Sequence, residues 1–144
     1  MKRLSMVPLL ILMVGCAATT TPVNVPTAPL SQQAQVNVLN ADKLLADAIN
    51  GATKAVIQLR DQGKVTQADT VVVQNYCVIA AKFSNGLDDI IVANDIWSVQ
   101  RGKIITLIQN TALPVIGSNV SPTAAAVVAQ VVTLLAQVRA QVGL

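Results

Sequence analysis

The feature that most constrains this chain is a pair of long helical repeats joined by only six residues. In residues 33–60, Val38, Asp42, Leu45, Ile49, Ala52, Val56 and Leu59 recur at alternating spacings of three and four. That rhythm places them on one face of an α-helix. Asp42 is the polar interruption of the stripe, and Gly51 is a mild weakness within the helix, costing about 1 kcal/mol against alanine. Gly63 is the expected stop. Thr66 can then cap a second helix, with Asp69 three residues on reaching back to close a capping box. Val72, Tyr76, Ile79 and Phe83 repeat at helical spacing and are expected to face the first helix. A linker this short predicts an antiparallel hairpin.

Downstream, Ser84-Asn85-Gly86 reads two ways. It could end the second helix, with Asn85 capping a third and Asp88 at that helix's third position. Alternatively the helix runs through, because Phe83, Ile90, Trp97 and Ile104 keep a spacing of seven. The break is the favoured reading. On either, residues 87–110 are expected to be helical, closed by Pro114 and Gly117. Ser121 followed by Pro122 marks the start of a last helix. Its residues 124–138 are apolar around most of the circumference, with Gln130, Thr133 and Gln137 as a narrow polar stripe. Fifteen residues are short for a membrane span. Packing against neighbouring helices is favoured over insertion or partner binding, and Arg139 suits the carboxyl-terminal end of the helix dipole. The expected fold is all-α: a small helical bundle of three or four helices starting with an antiparallel hairpin, in residues 32–144.

Composition narrows the chemistry. Of 144 residues, 53% are hydrophobic, 12% charged and 2% aromatic, where globular domains carry about 25% charge. This balance suggests helix–helix burial, a partner surface or membrane contact. Histidine is absent, and all seven acidic residues are aspartates. Histidine-dependent triads and zinc sites built from Cys and His are therefore excluded. Asp88 and Asp89 point about 100° apart on a helix, and Asp42 and Asp47 also diverge, so no local pair of carboxylates suits acid–base catalysis. Arg101-Gly102-Lys103 lacks the strand and glycine-rich loop of a phosphate site. No catalytic residue, metal or cofactor is expected. Cys77, among Tyr76, Val78 and Ile79, reads as a buried small hydrophobe, with intermolecular pairing as the alternative. Trp97 with Arg101 and Lys103 is a candidate membrane-interface cluster, weighed against a tryptophan half-buried in the bundle.

The amino terminus carries the functional information. MKRLSMVPLLILMVGC joins Lys2 and Arg3 to a short apolar run that ends in Val14, Gly15 and Cys16, the layout of a secretory signal. Its end resembles the lipobox of bacterial lipoproteins, with Met13 standing where leucine is usual. The resemblance implies cleavage between Gly15 and Cys16 and a lipid on Cys16. Residues 1–15 then form the signal, and residues 16–31, rich in proline and threonine, form a flexible, disordered tether. Ala17, rather than aspartate, after the cysteine implies the outer membrane, facing the periplasm. Loss of Lys2 and Arg3 leaves eight basic against seven acidic side chains, so the net charge of +3 is no sign of nucleic-acid binding. Residues 33–93, with Ala-rich helices and turns such as Gln62-Gly63-Lys64, resemble small helical proteins encoded by bacteriophages. Some of these are lipoproteins of lysis or superinfection exclusion. The expected function is a non-enzymatic, lipid-anchored envelope protein whose helical domain binds a protein partner or itself. The alternative is a membrane-active protein using residues 104–138.

Overall fold

The computed structural model describes residues 30–114, 116 and 120–144. Four α-helices occupy them: α1 (Leu30–Asp61), α2 (Gln67–Val92), α3 (Trp97–Asn110) and α4 (Pro122–Val142). The expected signal, Cys16 and Gly117 lie outside the described residues. The tether was expected to reach residue 31, but α1 already begins at Leu30.

The hairpin forms as its end signals dictate. Gly63 takes a left-handed φ of +69°, and the amides of Gly63 and Lys64 reach back to the carbonyls of Arg60 and Leu59, both at 2.8 Å. This 5→2 and 6→1 pair closes the end of α1. Thr66 Oγ1 accepts from the Asp69 amide at 3.0 Å, and Asp69 Oδ2 accepts from the Thr66 amide at 3.3 Å. Both arms of the capping box are therefore made. Along the pair, Asp42 meets Ser84 while Thr53 meets Cys77, so α1 and α2 run antiparallel.

The remaining contacts complete an up-down-up-down bundle. Asn37 pairs with Gln141, setting α4 antiparallel to α1. Arg101 reaches Val142, and Ile108 lies beside Leu135, so α3 is antiparallel to α4. The core is the stripe predicted for α1 (Val38, Leu45, Ile49, Ala52 and Val56) facing Ala124, Val128, Val131, Leu135, Val138 and Val142 of α4. Burying a side chain such as Leu45 contributes about 1.5–3 kcal/mol.

Three expectations need correction. Helix α2 does not break at Ser84-Asn85-Gly86; it continues to Val92. Ser84 is turned into the core against Asp42. At Gly86 α3 comes so close that an added Cβ would sit 2.9 Å from Leu107 Cδ1. Ser84 and Gly86 are therefore small for packing, not for a turn, while Asn85 stays exposed on the continuing helix. The interruption falls instead at residues 93–96, where Asn94 adopts φ +49° and its amide bonds the Ile91 carbonyl at 3.1 Å, an asparagine in a glycine's role. The buried face of α2 is also rotated from the expected one. Val73, Tyr76, Ala80, Phe83 and Leu87 are inside, while Val72 is exposed and Ile79 only partly covered. Finally, α4 has its Ser121 cap and Pro122 start, but runs for 21 residues rather than fifteen.

Candidate functional site

The end of the bundle at which α1 begins brings together the start of α3 and the ends of α2 and α4, and it holds the candidate cluster. Its helices are tied by amides. Gln35 Nε2 donates to Gln100 Oε1 at 2.7 Å, and Gln100 Nε2 donates to the Ile90 carbonyl at 3.4 Å. Asn37 Nδ2 donates to Gln141 Oε1 at 3.1 Å while accepting from Gln33 at 3.0 Å. Gln100 is almost fully buried, and both ends of its amide are used, which removes the cost of placing it there.

Trp97, Arg101 and Lys103 share α3 but do not form one patch. Trp97 is the first residue of the helix, half-buried against the core. Arg101 Nε donates to the Val142 carbonyl at 2.9 Å, supplying a partner and a positive charge at the carboxyl end of α4. Lys103, about 200° further round the helix, pairs with Asp95. Sequence reasoning missed Val92 and Ile96, large and exposed on either side of Asn94. Their signal was the pair of aliphatic residues around an asparagine, hidden by the expectation of a continuous helix there.

Two further polar groups are set by the fold. Asp42 is buried between α1 and α2, where Ser84 Oγ donates to its Oδ1 at 2.8 Å. Burial pushes its carboxyl up to about 6; the Ser84 bond works against that, while a hydrogen bond and like charge from Asp88 add to it. The Ser–Asp pair joins α1 to α2 as a packing contact. Asp69 joins two helix starts, because its Oδ1 also accepts from the Ser121 amide at 3.1 Å. That backbone bond, ahead of the Thr66 contacts, holds its carboxyl below the usual range despite some burial. Cys77 is the free thiol among the described residues and is buried, which pushes its pKa up. A raised pKa leaves little thiolate at neutral pH, so Cys77 is a weak nucleophile.

One hollow, lined by Phe83, Ile108, Thr111, Leu113, Leu135 and Arg139, has a volume of about 40 Å³, enough for water but not for a metabolite. Among the described residues, no cluster of three or more Cys or Asp side chains is placed to hold a metal. No family model, curated protein or solved structure matches the chain.

Proposed function

We propose that this chain is a lipid-anchored, non-enzymatic protein of the bacterial envelope. It is tied through Cys16 to the outer membrane and faces the periplasm, and its helical domain binds a protein partner or a second copy of itself. The observation that carries the reading is the run from Lys2 to Cys16: a positive start, a short apolar stretch, then Val14-Gly15-Cys16. A four-helix domain beginning fourteen residues after Cys16 is compatible with a tethered module. Two or more acyl chains give a stable anchor, since each buried methylene contributes about 0.8 kcal/mol.

The test is the intact mass of the chain expressed in a Gram-negative host, beside Cys16→Ser. The expected mass is that of residues 16–144 plus acyl chains, absent from the variant. An unlipidated wild-type mass would sink the anchor. Crosslinking in intact envelopes should capture a discrete complex; a monomer that crosslinks to nothing would remove the binding half of the proposal.

A second reading is favoured by one observation. Helix α4 is long and apolar enough, at a mean hydropathy of 1.5 over its best window, to cross a membrane. In that reading residues 104–138 leave the bundle and enter a bilayer, as a lysis or exclusion factor of the phage-encoded kind would require. Against it stands the stripe from Ala124 to Val142, which is committed to the core. Dye leakage from vesicles on adding the purified protein would favour membrane entry; intact vesicles would leave α4 as a core helix.

A further inference from the structure

The two turns at opposite ends of the hairpin bundle differ in character. At the far end, α1 passes to α2 through Arg60-Asp61-Gln62-Gly63-Lys64, polar and largely exposed. At the end where α1 begins, α2 passes to α3 through Val92-Ala93-Asn94-Asp95-Ile96. Here Val92 is 79% and Ile96 72% exposed, and no described residue covers them. Ile96 is also the amino-terminal cap of α3 and makes no capping bond, at a position where Ser, Thr, Asp or Asn serves a water-exposed helix better. Trp97 follows directly, packed mostly against the core with only part of its surface open.

We propose that this elbow is a membrane-contact site: Val92 and Ile96, with the rim of Trp97, seat in the interfacial layer of the phospholipid bilayer that holds the Cys16 anchor. The inference rests on the lipid-anchor reading. Position selects a bilayer over a protein as the occupant. The Gln35–Gln100 bond and the Gln100–Ile90 bond place the first turns of α1 beside the elbow. Cys16 lies fourteen residues before Leu30, a span of at most about 50 Å when fully extended. The tether enters at the elbow end, so contact there needs the least extension, whereas the Arg60–Lys64 turn, a further helix length away at about 48 Å for α1, reaches the lipid only with the tether almost fully extended.

Charge selects the kind of lipid. Asp88 and Asp89 in the last turn of α2 and Asp95 within the elbow stand against Arg101 and Lys103 at the start of α3, with Lys103 paired to Asp95. With three carboxylates against two cations there is no basic surplus to draw an anionic surface, which suits zwitterionic headgroups. Two aliphatic side chains bind a bilayer weakly by themselves, and the tether makes the contact effective by keeping them at high local concentration. The outcome is a bundle standing on its elbow, with the charged turn directed away from the membrane.

Trp97 is the sole tryptophan of the chain and reports the contact directly. The protein is expressed as the full chain in a Gram-negative host, checked for lipid by mass, and reconstituted into phosphatidylcholine–phosphatidylethanolamine vesicles. A matched set carries lipids brominated near the glycerol end of their acyl chains. The expected result is quenching of Trp97 emission by about twofold in brominated vesicles, as for a ring at the interface. Val92→Ser with Ile96→Ser should abolish that quenching, and serine at the cap position keeps α3 folded, which circular dichroism verifies. A lipidated protein whose Trp97 is equally bright in both vesicle sets overturns the elbow and leaves the anchor standing. Quenching unchanged in the folded double variant overturns it as well. A wild-type mass without lipid overturns the anchor and the elbow together.

Discussion

Asp42 is the residue at which the core carries its largest electrostatic burden. With a folded pKa of about 6 against 3.8 for the free side chain, the native state holds a proton that the unfolded chain has released between those values. Stability from this group is therefore complete below about pH 4 and is lost as pH rises through about 6. Asp69 acts in the opposite sense: its lowered pKa makes its contribution present above the free value and lost on acidification. Asp42→Asn retains an acceptor for Ser84 without the charge. The variant should exceed the wild type at pH 7 by roughly 2 kcal/mol, allowing for partial solvent relief of the shift of about two units. At pH 4 the advantage should vanish. Urea unfolding at the two pH values measures both; an equal difference at each would show that the charge is not the cause.

Among the elements, α2 and α3 carry the informative contrasts. On intrinsic propensity alone, Gly86→Ala would stabilise α2 by about 1 kcal/mol. The close approach of Leu107, at 2.9 Å from the added Cβ, offsets part of this, because the end of that partly exposed leucine must swing aside. The expected result is a change in Tm smaller than the gain of about 1 kcal/mol that propensity alone predicts. A full gain would mean that α3 sits further from α2. Ile96→Ser tests the other end of the same connection. Serine supplies the missing cap and little burial is lost, so the lipid-free domain should gain about 1 kcal/mol, read from thermal melts by circular dichroism.

For the whole molecule, α4 packs on α1, α2 and α3, so no helix has a core of its own. Unfolding should be a single transition. Circular dichroism, which follows all four helices, and the emission of Trp97, which follows α3, should give the same urea midpoint. An earlier Trp97 midpoint would separate α3 from the cooperative unit. Much of this architecture was legible in the sequence, and the reason is locality. Gly63, the Thr66–Asp69 box and the Ser121-Pro122 start each act within a turn of their own position, so spacing alone predicted them, as it did the stripe of α1 and the antiparallel hairpin. The course of the chain through Ser84-Asn85-Gly86 was decided by tertiary structure. There a partner 42 residues away takes the serine, and α3 takes the space above the glycine. The same holds for the burial of Val73 and Ala80 in place of Val72 and Ile79, and for the meeting of Gln100 with Gln35 at the entry end of α1. Local signals reach only as far as a turn of helix, whereas these features depend on which distant surfaces come to lie against one another.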